Sequence, residues 1–475
     1  MAKLFNTKLA IIFSIALLSG CASTGFGDLF SGYSQQMRDA RQAQLRGDFP
    51  VAVKQVPIRH QSDGTYALSQ LERARLQYLN KDWANSQKSF TAAYNKIQSE
   101  EDKAKVQISR GFEQVGAVVT NDNALRYDVP HYEQSMLHTY QAINYLEQQG
   151  LESALVEVRR ANLVQENALR VYQDELINAQ SSMANYGVNA SDIAGAYPSM
   201  SDTIGSVKNG IQNAYTFYLS GVLYEAAGEP NDAYIDYKKA LEIFPDNQFL
   251  QQDVIRLAKK LAMTDDLARF KNQYGADALN NNAEQGTGNV VFIYEQGIIE
   301  AKDEIAINLP IRDRKRGNTI MNLSLPVYHG RNQTVSPLVV QAANQTHESQ
   351  AIVDLHALAA KQLDDQLSGI IVRQLLRLYA KEKMRRQLAE EGGDFGNILA
   401  TIYNVASERA DTRSWSTLPS NVHILRMDLP AGEHQVSLRA GGQQQTMTIK
   451  VNENRITLVN LTHIGNYTGY QDFNL

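Results

Sequence analysis

The sequence predicts a multidomain chain of the α plus α+β class. An array of helical hairpins over residues 61–275 is followed by a β-sandwich-like domain over 290–475, with a helical insertion at about 352–409. Three observations predict it. Small and aromatic residues recur at helix-pair spacing before residue 245. A stretch rich in Asn, Gly and Gln at 280–289 marks a change of texture, and beyond it short β-branched runs alternate with turn residues.

The chain begins with a segment that is not part of either domain. Lys3 and Lys8 precede the apolar run Leu9–Leu18, followed by Ser19, Gly20 and Cys21, the only cysteine among 475 residues. A basic head and a short apolar core describe a secretory signal over 1–20, too short to span a bilayer comfortably. Leu18–Cys21 resembles the bacterial lipobox. That resemblance implies that the Cys21 thiol is diacylated and becomes the lipidated N-terminus, an anchor rather than a catalyst. The alternative is a buried cysteine within a signal cleaved elsewhere. Several acyl chains hold far better than one, at about 0.8 kcal/mol per buried methylene. Ala22, rather than aspartate, follows the cysteine, which implies anchoring at the outer membrane facing the periplasm, with residues 21–60 as lead-in.

The remaining length suffices for two or three domains with proper cores. With its one cysteine assigned to lipid, the chain forms no internal disulfide and has no cysteine-rich zinc site. No metal or cofactor is expected. A net charge of −5 with both signs interspersed argues against a nucleic-acid partner. The later apolar runs Gly369–Leu378 and Asn397–Val405 fall short of membrane-spanning length.

Three helix pairs share a pattern, and Ala214–Pro245 shows it best. Gly221 and Ala233 are small where two helices approach closely, and Tyr224 and Tyr237 fill the gaps between them. Gly228 with Pro230 opens the turn, Ala240 follows, and Pro245 ends the second helix. The spacing resembles the 34-residue tetratricopeptide repeat. Ala142, Tyr145, Ala154, Val158 and Ala161 occupy the same relative places, with Gly150 one position late. Ala74, Tyr78, Trp83, Phe90 and Ala93 give a third set, with Ser86 where alanine is usual. Ala74 and Ala142 lie two repeat lengths apart, so a degenerate unit around Lys103–Ala124 could fill the space. The polar stretch Ala179–Gly210 reads as a long helix running into a loop that interrupts the stack. A helix over Gln248–Tyr274 caps the array, and residues 276–289 form a linker.

Strands are predicted at Val290–Tyr294, Ile305–Leu309, Thr319–Leu325 and Leu338–Gln341, then at Val422–Met427, His434–Arg439, Thr446–Val451 and Ile456–Leu461. Between the two sets lies the insertion, helical over Ile352–Glu391 and Phe395–Arg409 and split by Gly392-Gly393. Pro430-Ala431-Gly432, Gly441-Gly442 and Asn452-Glu453-Asn454 supply turn chemistry between the later strands.

Stacked hairpins present their first helices on a concave wall, where partners dock. The facing positions are Tyr215, Tyr218, Val222 and Glu225; Met136, Thr139, Ile143 and Leu146; and Leu68, Leu71, Arg75 and Tyr78. Aromatic anchors beside a few charges suit an extended peptide or a partner's helix. The alternative is that these side chains pack against the chain's own segments, the Ala179–Gly210 excursion among them.

Two basic clusters, Arg312 with Arg314–Arg316 and Arg373 with Arg377, Lys381, Lys383, Arg385 and Arg386, invite anionic lipid or glycan contact. They read equally as solvated faces balanced by Glu382, Glu390 and Glu391. No catalytic motif is present, so no catalytic residue is assigned. His356 with Asp364 and Asp365, or Asp411 with Arg413, are the faint candidates, against helix-surface charge for the first and a capping or domain-joining role for Asp411–Trp415. Taken whole, the chain resembles lipoproteins of Gram-negative bacteria that join a lipobox and tetratricopeptide repeats to a β-rich C-terminal region. The resemblance implies a non-enzymatic scaffold of the cell envelope that binds a protein partner. A C-terminal module that binds peptidoglycan or another glycan, or hydrolyses it, stays open as the alternative.

Overall fold

A computed structural model describes residues 32–109, 122–185, 188, 190–275, 286–313, 317–330, 335–378, 380 and 409–475. The signal, Cys21, most of the linker and the second half of the insertion lie outside them.

Two short helices, α1 (Arg38–Leu45) and α2 (Phe49–Gln55), lead into three pairs: α3 (Tyr66–Leu79) with α4 (Trp83–Ser109), α5 (His131–Gln148) with α6 (Leu151–Asn185), and α7 (Ala214–Ala226) with α8 (Pro230–Ile243). The pair turns follow from local chemistry. After α7, the Gly228 N–H donates to Glu225 O and the Glu229 N–H to Tyr224 O, with Gly228 at φ 78°. This closes the helix with a left-handed residue, and Pro230 starts the next one. Gly221 is required by close approach, because a Cβ there would stand 2.5 Å from the Tyr237 ring.

One expectation for the array is corrected. The capping segment is two helices, α9 (Gln248–Lys260) and α10 (Thr264–Tyr274). Ala262, at φ 54°, closes α9 with the same bond pattern, so a stop occurred where no glycine or proline signals one. Most of the degenerate unit expected around Lys103–Ala124 lies outside the described residues; α4 reaches Ser109, and a 3₁₀ turn stands at Asp122–Ala124. The excursion after α6 forms short turns at Ala190–Ala194 and Ser201–Ile204, and the Tyr197 hydroxyl donates to Pro326 O at 2.6 Å. It therefore lies on the C-terminal domain, outside the helical wall.

That domain contains β1 (Thr287–Gln296), β2 (Asp303–Asp313), β3 (Gly317–Val327), β4 (Val339–Ala342), β5 (Gln345–Glu348), β6 (Gln350–Asp354), β7 (Asn421–Pro430), β8 (Gly432–Ala440), β9 (Gln443–Val451), β10 (Ile456–Ile464) and β11 (Tyr467–Asn474). A helix over 355–378, here α11, follows β6. Its start corrects the expected one at 352, because Asp354 ends a strand and its carboxylate caps Ala357 N–H. β5, β6 and β11 were not predicted.

One sheet has the order β11-β10-β1-β7-β6, another β5-β4-β8-β9, and β2-β3 stand as a separate ribbon. Within the five-stranded sheet β1 is parallel to β10 and antiparallel to β7. Val290, Phe292 and Tyr294 of β1, with Leu425, Met427, Val459 and Leu461 beside them, meet Val436, Leu438, Met447 and Ile449 of the four-stranded sheet in one core. The opposite face of β1, with Val291 and Ile293, joins the core of the helical array. Burial on both faces explains why Val290–Tyr294 reads as a continuous apolar run rather than an alternation. The layers are thus helices, a mixed sheet and a second sheet. Among the described residues no helix is long and apolar enough to cross a membrane.

Candidate functional site

The concave wall is occupied by the chain itself. Leu68, Leu71, Arg75, Tyr78, Met136, Thr139, Ile143, Tyr215, Tyr218 and Val222 are at most 1 % exposed, while Leu146 and Glu225 are half-buried. The covering surface is the five-stranded sheet. Arg75 Nη2 donates to Glu295 Oε2 on β1 at 2.5 Å, Asn460 Nδ2 on β10 donates to the Tyr78 hydroxyl at 2.5 Å, and Arg426 Nη2 on β7 donates to Glu225 Oε2 at 3.0 Å. Strand register places these three sheet residues on the same face, pointing at the helices. The expected open groove is therefore corrected: ten of its twelve positions are buried, and Arg75, Tyr78 and Glu225 bond to the chain's own β domain. The described part of the Ala179–Gly210 excursion meets β3, through the Tyr197 hydroxyl on Pro326 O.

Ionic chemistry in this interface is paired or capped. Burial alone would raise the Glu225 carboxyl, but Arg426 and Arg256 outweigh it and hold it at about 2. Arg426 also meets Asp253 at 2.9 Å. Arg75 stacks on Tyr78 and Tyr140, 5.1 and 4.3 Å from the ring centres.

Residues 411–417 join the layers, as the domain-joining reading of Asp411–Trp415 expects. Trp415 is fully buried against Phe90 and Tyr140, and its N–H donates to Glu133 Oε1 at 2.8 Å. The backbone N–H groups of Ser416 and Thr417 donate to the two oxygens of Glu72, at 2.7 and 3.0 Å, as do both hydroxyls. Glu133 further accepts from Tyr127 and Tyr132. Burial pushes both carboxyls up, Glu133 to about 7, against these donors. Arg413 pairs with Asp411 and donates to Leu125 O and Asp122 O.

The basic helix face is likewise corrected where it is described. Arg377 is 1 % exposed and forks onto the Asp122 carboxylate at 2.7 and 3.1 Å, with Arg373 against the same group. Lys381, Lys383, Arg385, Arg386 and Arg314–Arg316 lie outside the described residues. The faint catalytic sets have neighbours within the fold. His356 Nε2 meets His329 O at 2.9 Å, and Asp365 takes the Tyr172 hydroxyl and Lys361. Asp364 lies 3.6 Å from Lys361. Among the described residues no group of three or more metal-capable side chains converges.

Two cavities stand out among the described residues. One of about 240 Å³ lies beside β6, between Val207, Lys208, Glu242, Phe244, Ile352 and Asp354. The larger, about 490 Å³, opens at one end of the sandwich and is lined by Gln296, Ser336, Ser420, Asn421, His463 and a set of glycines. Sequence reasoning missed it. Gly441-Gly442 signalled a turn, but the register that aligns its polar residues joins strands far apart in the chain. On the outer side of the array, Val156, Leu163, Val171 and Ile177 of α6 and Ile235 of α8 are each 45–58 % exposed.

No protein-family model and no curated protein matches the chain. Two solved structures, "Crystal structure of MamA" and "Crystal structure of MamA protein", are similar to it at 11 % identity each, covering 50 % and 55 % of this chain and 92 % and 99 % of their own, with TM-scores of 0.27 and 0.29. Likeness at that level carries no argument, and the functional reading rests on the chain's own residues.

Proposed function

We propose that the chain is a non-enzymatic, tetratricopeptide-type scaffold, anchored through lipid on Cys21 to the outer membrane and facing the periplasm, where it holds an envelope protein. The basic head, short apolar core and Leu18–Cys21 box support the anchor. One observation carries the binding mode: the concave wall is filled by the chain's own sheet, while apolar side chains at positions 156, 163, 171 and 177 stand exposed along the outer face of α6. On that reading the partner docks on the convex side. Helical spacing places Val156, Leu163 and Ile177 on one stripe.

The test is site-specific photocrosslinking in cells, with the crosslinker at position 163 or 177 and, as the contrast, at the buried position 218. Discrete adducts from 163 or 177 support the convex face. Adducts from 218 alone overturn the docking face, and a Cys21→Ser chain that fractionates as the unaltered chain does overturns the anchor.

A further inference from the structure

The large cavity at the sandwich end has a built polar wall. His463, Gln296 and Asn421 form one transverse row across β10, β1 and β7, because Gln296 is in register with both His463 and Asn421. All three continue the faces that carry Leu461, Tyr294 and Leu425 into the inter-sheet core. Strand alternation thus calls for apolar residues there, and the chain instead places two primary amides and an imidazole. Each is at least 93 % buried.

The rest of the described lining is equally uncharged. Ser336 and Ser420 contribute hydroxyls, while Gly297, Gly441, Gly442 and Gly465 line the wall at φ values of 66°, 54°, 81° and 56°. Four left-handed glycines leave backbone uncovered toward the space, which permits close approach of a ligand. Two of them are also fixed by close approach: a Cβ at Gly441 would meet His463 Nε2 at 2.0 Å, and one at Gly465 would meet Leu45 O at 2.1 Å. One row deeper on β7, His423 keeps Nε2 without a hydrogen-bond partner. Among the described residues no lysine, arginine, aspartate or glutamate lines the cavity. Burial lowers the pKa of His463, so its imidazole is neutral at neutral pH.

We infer that this cavity binds an uncharged, polyhydroxylated ligand, a mono- or disaccharide unit, through the Gln296–Asn421–His463 row and the glycine-framed backbone opposite it. An ionised ligand would lose its hydration against this described lining, which offers it no counter-charge. An extended peptide would need a free strand edge, and β10, β1 and β7 are each paired on both sides. At about 490 Å³ the space lies within the roughly 300–1,000 Å³ of small-molecule sites. The inference is independent of where the chain is anchored and of the convex docking face.

The experiment uses the full mature chain, made lipid-free by Cys21→Ser, titrated with glucose, N-acetylglucosamine and its β-1,4-linked dimer, and with glucosamine, glucuronic acid and alanyl-alanine amide as contrasts. Calorimetry and saturation-transfer NMR supply the readouts. The expected result is saturable binding of at least one neutral sugar in the millimolar range or tighter, and at least about tenfold weaker binding of the charged sugars (about 1.4 kcal/mol). Ser336→Leu, at the half-buried rim, should abolish it in a chain with unchanged circular dichroism and melting, and Asn421→Leu should do the same. Absence of saturable binding by every neutral sugar, preference for the dipeptide amide, or binding untouched by Ser336→Leu each overturns the assignment.

Discussion

Arg75 on α3 and Glu295 on β1 form an ion pair at 2.5 Å with both side chains wholly withdrawn from solvent. The pair spans the helical wall and the central strand of the sheet. Breaking a buried pair from one side leaves an unpaired charge behind, at a cost of about 3–5 kcal/mol. Arg75→Met should therefore lower the stability read by urea unfolding by about that much, and Arg75→Met/Glu295→Met should recover most of it. Equal losses in the single and double variants would show that the charge left behind is not the cause.

Glu133 gives the fold a pH dependence of defined sign. Its carboxyl is raised from 4.5 to about 7 by burial, so the folded chain holds the proton more tightly than the unfolded one. The associated stability is complete below the unfolded value and is lost as pH rises between about 4.5 and 7. His423, lowered to about 4 by burial, acts in the opposite sense between about 4 and 6.5. The difference between the unaltered chain and Glu133→Gln isolates the first effect. The melting temperature of the unaltered chain should fall relative to that of Glu133→Gln as pH passes upward through this window, and parallel profiles would contradict the assignment.

Close approach at Gly221 predicts a steric penalty. In Gly221→Ala the new methyl would stand 2.5 Å from the Tyr237 ring, with Tyr237 itself fully buried. Overpacking of this kind costs about 1–3 kcal/mol, against the small helix-propensity gain of alanine. Net destabilisation is expected in thermal melts, and a raised melting temperature would show that α7 and α8 separate freely.

Trp415 links the two halves through one indole. Trp415→Ala should cost about 3–5 kcal/mol, and its backbone N–H would still reach Glu133. Hydrogen exchange should then accelerate around Glu72 and Glu133, on α3 and α5, as well as in the strands. Acceleration confined to residues next to 415 would mean that the halves do not share a core.

Much of the architecture was legible because local chemistry specifies it. Gly221, Ala233 and Tyr237 stand at helix-pair spacing, and β8 and β9 alternate buried and exposed residues as strands with one covered face do. What escaped is explained physically. β11, Tyr-Thr-Gly-Tyr-Gln-Asp-Phe-Asn, is a polar edge strand without alternation. The α9–α10 break uses alanine rather than glycine in the left-handed region. Apolar faces on α3, α5 and α7 declare that something covers them, but Leu68 or Tyr215 cannot say what. The cover is fixed by Glu295, Arg426 and Asn460, which as isolated polar letters in strands carry no such message. The transverse polar row at the sandwich end was invisible for the same reason: His463 and Asn421 become neighbours only through Gln296.

The pairing of β1 with β10 also sets an order of assembly. β1 aligns Asn289 with Ile456 on one side and Gln296 with Asn421 on the other. A ribosome delivers the helical wall first and its cover last. Until residues beyond 456 emerge, the sheet that covers Leu68, Met136, Tyr215 and their neighbours is incomplete, and they are only partly shielded from water and from one another's copies. Such late, non-local closure slows folding and leaves sticky surface exposed meanwhile. Truncation by even the last two strands should therefore yield insoluble aggregates rather than a smaller soluble domain.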